Sequence, residues 1–477
     1  MKFDFIIKNK FLLGCISVVI LLLAFFFDKS LCVALLLLLF LSAITFFIFY
    51  KVGFRDKRIY LLFLIVLVIR FSATLFMHYT DFQPFSGHAG DYFTYQNSAV
   101  TISKNFQQGN FSIKNISLQN PDLYTDNYYP VFLGVIYALT LPKELIGIML
   151  NVWLAAVSIC FVYLIVLEID GSKKSAFLVG IISAIYPSYI FDSGLLLKDA
   201  LEINFVILGL FFLIKTIKRY AWYNFLLLYL SFICATHFRF YIGYALIMTF
   251  IISWFLFSGI IFRRRIIYGI IFIILLGFIP ETAYNQGYYG VESFRAYLNP
   301  KTINFYRNEA YFPIKSVSAD KESGEINLPI STLSVGKNSS FVVRNNAVGY
   351  LESFAYVLLG PLPWQIKSVW QLLALAETIP WYFILIFIVY GMIFLVKKGI
   401  KAAAPLLIFS FVAMGVIAVF ETNLGIIVRT RIPIFISLLC IGGLGFNNDN
   451  IIYKYFKKNY EKVLDYWRSR FYRFKHS

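Results

Sequence analysis

The chain has 477 residues, of which 60% are hydrophobic and only 14% are charged, and its formal net charge is +18. Soluble globular proteins contain about 45–50% apolar and about 25% charged residues, so this composition excludes a soluble enzyme, a disordered chain and a collagen-like fibre. The apolar runs are continuous rather than alternating. They therefore exclude a membrane β-barrel and predict an all-α, polytopic membrane protein.

Long apolar runs between charged breaks predict about twelve transmembrane helices, since one span needs about 20 apolar residues. The spans are expected at 10–27, 31–50, 59–78, 145–167, 175–191, 200–214, 221–236, 241–261, 266–280, 379–396, 402–420 and 430–446. Two further apolar stretches, 128–140 and 348–378, are too short or too interrupted to span and are expected as juxtamembrane helices at the outer face. Counting 128–140 as a thirteenth span would exchange the sides of the later loops, and the sequence leaves this alternative open.

These elements divide the chain into five parts. They are an N-terminal transmembrane hairpin (1–58), a transmembrane module with the first outer loop (59–280), an outer-face loop and juxtamembrane region (281–378), C-terminal transmembrane helices (379–446) and a basic cytoplasmic tail (447–477). Basic groups such as Lys173-Lys174 and Arg263-Arg264-Arg265 recur at every second boundary. Because positive residues favour the cytoplasmic side, we expect both termini in the cytoplasm. The membrane is expected to be the inner or plasma membrane of the cell. The positive charge is thus explained without nucleic acid as a partner.

Polar and ionisable residues gather in the stretches that this topology places at the outer face. They are His88, Asp91, Tyr92 and Tyr95, then Asp192, Lys198, Asp199 and Glu202, then His237 and Arg239, and last Glu421, Asn423, Arg429 and Arg431. Such residues near the membrane plane are costly and are typical of functional sites. A carboxylate can deprotonate an acceptor, and arginines can bind a phosphate through paired hydrogen bonds. Arginines on the outer side run against the usual charge bias, which favours an anionic ligand there.

Each candidate also has an ordinary structural interpretation. Asp91 follows glycines and suits a turn, Asp199 suits a helix N-cap, and the arginines can extend to lipid headgroups. His88 and His237 lack a second histidine at ligand spacing and suit structural roles better than metal ligation. The five cysteines lie in apolar runs without ligand spacing. Arg70 lies in the middle of a span and needs a partner that the sequence does not name.

The order of these motifs resembles the GT-C superfamily of membrane glycosyltransferases, and within it the protein mannosyltransferase and aminoarabinose transferase branch. The resemblance covers about 60–260 and rests on Asp91-Tyr92 in the first outer loop, a Tyr-Pro that opens an apolar helix, AIYPSYI, the SGLLLKDAL stretch and Arg239 after a later span. It implies transfer of a sugar from a polyprenyl-phosphate donor to a lipid, glycan or protein at the outer face. The later GPLPW and NLGIIVRTR stretches are similar to bacterial membrane proteins of polysaccharide synthesis.

The resemblance implies a role for each acid, with Asp91 as the general base and Asp199 as the second-loop acid. Donor phosphate is expected on Arg239, Arg429, Arg431 and Lys198, and substrate on Tyr92, Tyr95, His88, Glu421 and Asn423. Many relatives carry a second acid in the first loop where this chain has Tyr92. We therefore expect no required cofactor, and a divalent metal is not favoured.

Two other functions stay open at this point. A polysaccharide polymerase or ligase with a lipid-pyrophosphate donor would use the same outer-face arginines. A flippase or transporter of lipid-linked oligosaccharides would instead place charged residues along a path through the membrane, and Arg70 is the one mid-span residue that favours it.

Overall fold

The computed structural model describes residues 24–82, 91–120, 123–124, 128–170, 172–277, 298–303, 347–365, 369–421 and 424–446. Every regular element in these ranges is a helix, which confirms the all-α class for this part of the chain. The α-helices are α1 Lys29–Val52, α2 Lys57–Thr80, α3 Asp91–Gln107, α4 Ile113–Gln119, α5 Tyr129–Leu139, α6 Glu144–Asp170, α7 Lys173–Ala184, α8 Pro187–Ser193, α9 Asp199–Lys218, α10 Trp222–Phe238, α11 Phe240–Phe257, α12 Phe262–Gly277, α13 Ala347–Leu359, α14 Val369–Lys398, α15 Ala404–Phe420, α16 Leu424–Thr430 and α17 Ile432–Gly445.

Seven of these helices are long and apolar enough to cross a membrane, and the chain is therefore a multi-pass membrane protein. They are α1, α2, α6, α9, α11, the part of α14 from Leu375, and α15 with the short turn before it. The pair α7 and α8 is also apolar enough to cross, but it is bent by 61°, which fits either a broken span or a re-entrant loop. Three of the other expected spans correspond to the shorter helices α10, α12 and α17. The expected span at 10–27 lies almost entirely outside the described residues.

Two regions differ in detail from the sequence-based expectation. The boundary expected between 378 and 379 falls inside α14, which continues through Glu377 and Pro380 without a break. The break in that region comes earlier, where α13 ends at Leu359 before the GPLPW stretch. The stretch 128–140 forms the 11-residue helix α5, which packs closely on α3 at Gly134, where a Cβ would lie 2.6 Å from a methyl group of Ile102.

Helices α6 and α9 form the centre of the bundle, since 72% and 78% of their apolar 18-residue segments are buried. Helices α1 and α14 are mostly exposed. A helix that is apolar all round and enclosed by others is typical of a bundle core. Close approach of α14 and α17 depends on Gly391, where a Cβ would lie only 2.0 Å from the backbone oxygen of Ile441. Small residues at such crossings let membrane helices pack by van der Waals contact.

The two ends of the bundle differ in chemistry because the helices alternate in direction. Helix α9 begins at Asp199 and ends at Lys218, so these residues lie about 30 Å apart at a rise of 1.5 Å per residue. The end with Lys218, where α7 begins at Lys173 and α14 ends at Lys398, is called here the basic end. The opposite end, where α9 begins, is called the polar end. The candidate site residues that the structure describes lie at the polar end.

Candidate functional site

Arg239 lies at the centre of the polar end, in the turn between α10 and α11. Its Nη2 lies 2.9 Å from Oδ1 of Asp199, and its Nε lies 2.8 Å from Oε2 of Glu202. Both carboxylates are buried, and the arginine side chain is 10% exposed. Asp199 and Glu202 are three residues apart in the first turn of α9, so they face the same way and hold the guanidinium together.

The same guanidinium continues a hydrogen-bonded chain towards the end of α15. Arg239 Nη1 donates to the hydroxyl of Tyr241 at 2.9 Å, and that hydroxyl donates to Oε1 of Glu421 at 2.9 Å. Burial raises the pKa of Glu421, although Arg239 opposes the shift. The tight α10–α11 turn depends on Gly243, since a Cβ there would lie 2.1 Å from Oγ1 of Thr236. We call Arg239, Asp199, Glu202, Tyr241 and Glu421 the Arg239 cluster.

Arg429 on α16 faces the Arg239 cluster but binds it loosely. Its Nη1 lies 3.7 Å from Oδ2 of Asp91 and 3.9 Å from Oδ2 of Asp199, both beyond hydrogen-bond distance. The side chains of Arg429 and Asp91 are 26% and 58% exposed. Within the described residues Asp91 has no other ion pair. An accessible carboxylate and an accessible guanidinium therefore stand side by side, with hydrogen-bonding capacity to spare.

Lys198, directly before Asp199, is another charged residue near Asp91. It is half-buried, and its ammonium group makes no hydrogen bond or ion pair to any residue that the structure describes. Burial and the nearby Arg239 lower the pKa of Lys198 to about 8, against the opposing effects of Asp199, Glu202 and Asp91. We call Asp91, Arg429 and Lys198 the open site.

The turn that carries Lys198 is held by Asn151 of α6, which sequence reasoning did not select. The Asn151 side-chain nitrogen donates to the backbone oxygens of Leu195 and Leu197 at 2.8 and 2.9 Å. Its oxygen accepts from the hydroxyl of Tyr129 at 3.2 Å. A lone Asn inside an apolar run was the available signal, because such a residue requires partners.

Arg431 belongs to a second buried group rather than to the open site. Its Nη2 lies 2.9 Å from Oε1 of Glu377, Nη1 donates to the backbone oxygen of Gly360, and the guanidinium lies over the Phe435 ring. Glu377 also accepts from the hydroxyl of Tyr186 at 2.7 Å, from Ser188 N at 3.0 Å and from Ser188 Oγ. This Glu377 cluster joins the α7–α8 bend to α14 and α17.

We expect Glu377→Gln to lower the free energy of unfolding by about 2 kcal/mol, the value of a hydrogen bond to a charged group. The amide would leave Arg431 without a counter-ion in a buried position. The measurement is thermal and denaturant unfolding of the purified protein in detergent. Glu352→Gln is the matched control, because Glu352 is exposed on α13. Equal stability of both variants would show that the Glu377 cluster contributes nothing.

Four predicted substrate-binding residues are left: Tyr92, Tyr95, His88 and Asn423. Tyr92 and Tyr95 are buried, and the Tyr95 ring packs against Tyr124 and Tyr129 at centroid distances of 5.6 and 5.2 Å. His88 and Asn423 lie outside the described residues. In the described ranges, no group of three or more His, Cys, Asp or Glu side chains is placed to hold a metal ion.

In comparisons with known proteins, no family model, no curated protein and no solved structure matches the chain. The fold and the site therefore define a multi-pass, all-α membrane protein with a charged site at one end of its helices.

Proposed function

We propose that the protein is a glycosyltransferase that moves a sugar from a polyprenyl-phosphate donor to a lipid, glycan or protein acceptor at the outer face of the membrane. The observation that carries the proposal is the open site, where the exposed Asp91 carboxylate stands 3.7 Å from the Arg429 guanidinium. Lys198 is near Asp91 and has no ion pair within the described residues. An accessible base beside accessible cations suits proton removal from an acceptor and binding of a phosphate.

In the proposed reaction, Asp91 takes the proton from the acceptor hydroxyl or amine. The acceptor atom forms a bond to the anomeric carbon from the face opposite the phosphate, while the bond from that carbon to the phosphate oxygen breaks. The electron pair leaves on polyprenyl phosphate, whose charge Arg429 and Lys198 stabilise. Attack from the face opposite the phosphate inverts the configuration of the anomeric carbon. Because phosphate leaves without being protonated, no general acid is needed.

The arginines of the buried clusters have a positioning role in this proposal. Arg239 is engaged by two carboxylates and Tyr241, and Arg431 by Glu377 and Gly360. Their hydrogen-bonding capacity is largely used within the protein, so donor phosphate is assigned to Arg429 and Lys198. Asp199 is held by Arg239 and faces Arg429, where it orients the guanidinium between itself and Asp91.

The outer-face location is supported by charge. Lys173, Lys218 and Lys398 lie at the basic end, and cytoplasmic loops of membrane proteins are enriched in Lys and Arg. The polar end would then face outward. The proposal also includes about twelve spans, with α10, α12 and α17 crossing together with the longer helices, and a GT-C-like module over 59–280.

Lys198 makes donor binding dependent on pH. Its pKa of about 8 means that the cation is lost as the pH rises from 7 to 9, so donor affinity should fall over that range. Stability should move the other way: the folded protein binds the proton less tightly than the unfolded chain, so raising the pH from about 8 towards 10 stabilises it. Donor binding measured against pH should be flat in Lys198→Gln. A wild-type profile without a fall above pH 7 would contradict the assignment.

The function is tested with the purified protein in proteoliposomes that contain polyprenyl-phosphate-linked hexoses or pentoses. Release of free polyprenyl phosphate together with a glycosylated acceptor is the expected result. Movement of the donor across the bilayer with no transfer would instead support the transporter. Gel analysis of the glycan made by cells with and without the protein separates transfer of one sugar from a polymerase, which would lose a ladder of products.

A further inference from the structure

Arg70 is a buried arginine with nitrogen atoms that have no hydrogen-bond partner among the described residues. Arg70, in the middle of α2, is 1% exposed. Its Nη1 donates to the backbone oxygen of Tyr189 and to Oγ of Ser193, and its Cζ lies 4.0 Å from the centroid of the Tyr189 ring. Its Nε and Nη2 have no hydrogen-bond partner within the described residues. The guanidinium therefore faces α8, and the three N–H donors on Nε and Nη2 are unused within the described residues.

A buried carboxylate shares that face of α8. Tyr189, Asp192 and Ser193 are at positions i, i+3 and i+4, which lie on one side of a helix, and Arg70 contacts the first and the third. Asp192 is 2% exposed, and its Oδ2 has no partner among the described residues. No ion pair within 4.0 Å joins the two side chains. Thr74, one turn from Arg70 on α2, also has a buried hydroxyl without a partner in the described ranges.

The unpaired atoms of Arg70 and Asp192 restrict the kind of group that can bind both side chains. Buried charges without partners are costly, so a group is required that accepts from the guanidinium and donates to the carboxylate. A hydroxyl does both, whereas an ionised phosphate cannot donate and an ammonium cannot accept. Asp192 also interacts electrostatically with Asp199 and Arg429, which relates this pair to the open site.

We propose that Arg70 and Asp192 form a subsite that binds one hydroxyl group of the transferred sugar, an assignment that rests on the proposed function. The hydroxyl would donate to Asp192 Oδ2 and accept from Arg70 Nη2. The anomeric carbon would then lie towards Asp91, Arg429 and Lys198. The subsite would make the protein selective for a sugar over the bare lipid phosphate and sensitive to one ring position.

The test is equilibrium binding to the full chain in lipid nanodiscs. The probes are polyprenyl phosphate, polyprenyl-phosphate-linked hexoses and pentoses, and the same donors with single hydroxyls replaced by hydrogen. In the wild type, removal of one particular hydroxyl should weaken binding by about 10- to 100-fold, as for a hydrogen bond to a charged group. In Asp192→Asn the same removal should have little effect. Glu168→Gln, at the basic end, should behave as the wild type.

The outcomes separate this proposal from the proposed function. If the wild type binds every sugar donor and polyprenyl phosphate equally well, the subsite is overturned, and the unpaired atoms of Arg70 and Asp192 are assigned to ordered water. Sugar transfer with an Asp192→Asn variant that keeps full hydroxyl selectivity would overturn the subsite and leave the function standing. Selective binding without any transfer would support the subsite and overturn the enzyme. Because the wild-type comparison needs no variant, misfolding of Asp192→Asn or Arg70→Lys does not prevent a result.

Discussion

Asp91→Asn should slow sugar transfer by about 10²- to 10⁴-fold, the contribution typical of a general base. The amide has the same shape as the carboxylate but cannot take the acceptor proton. Because the Asp91 side chain is 58% exposed and its one described ion pair is 3.7 Å long, folding should be almost unchanged. The measurement is the initial rate of transfer in proteoliposomes at saturating donor, together with the unfolding temperature.

Donor binding separates loss of a base from loss of a binding group. Removing the Asp91 charge frees Arg429 from one carboxylate, so polyprenyl phosphate should bind Asp91→Asn at least as tightly as the wild type. Asp91→Glu, which keeps a base with a longer side chain, should recover part of the rate, and Glu168→Gln should retain all of it. Full activity of Asp91→Asn in a correctly inserted protein would remove Asp91 from the reaction.

Charge on an apolar background was the most informative feature of the sequence. Asp91, Asp199, Arg239 and Arg429 lie in four separate stretches, yet the structure links their side chains: Arg239 pairs with Asp199, and Arg429 lies 3.7 Å from Asp91 and 3.9 Å from Asp199. The alternation of helix direction explains this, because residues at every second loop share one end of a bundle. Their chemical roles remain predictions.

The sequence alone did not predict which of the charged residues pair with one another. Arg431 follows Arg429 by two residues, but α16 ends at Thr430 and the chain turns into α17, so the two side chains point to different partners. The partner of Arg431 is Glu377, 54 residues earlier in the chain. Glu202 carried a usable signal, since it lies one turn after Asp199 on the same helix face.

Two prolines show how far helix boundaries could be predicted from the sequence. The expected span at 175–191 is broken between Ala184 and Pro187, because a residue before proline avoids the helical conformation. Pro380, by contrast, lies at an exposed position inside α14, and the helix continues through it. Apolar composition alone does not distinguish these two outcomes.

Arg239→Gln should lower the free energy of unfolding by about 3–5 kcal/mol, the cost of breaking a buried ion pair by removing one partner. Asp199 and Glu202 would be left buried, one turn apart, with no guanidinium between them. The measurement is thermal and denaturant unfolding in detergent. Arg429→Gln is the matched control and should cost much less, because Arg429 is more exposed and its contacts are 3.7 and 3.9 Å long.

Neutralising Asp199 and Glu202 as well tests whether the lost stability of Arg239→Gln comes from their uncompensated charges. In a variant that combines Arg239→Gln with Asp199→Asn and Glu202→Gln, the two carboxylates that contact Arg239 no longer carry an uncompensated charge, so much of the lost stability should return. Stability and activity should then separate, because the recovered fold would lack the carboxylate that orients Arg429. If the triple variant is no more stable than Arg239→Gln alone, the arginine contributes through packing with Tyr241 rather than as a counter-ion.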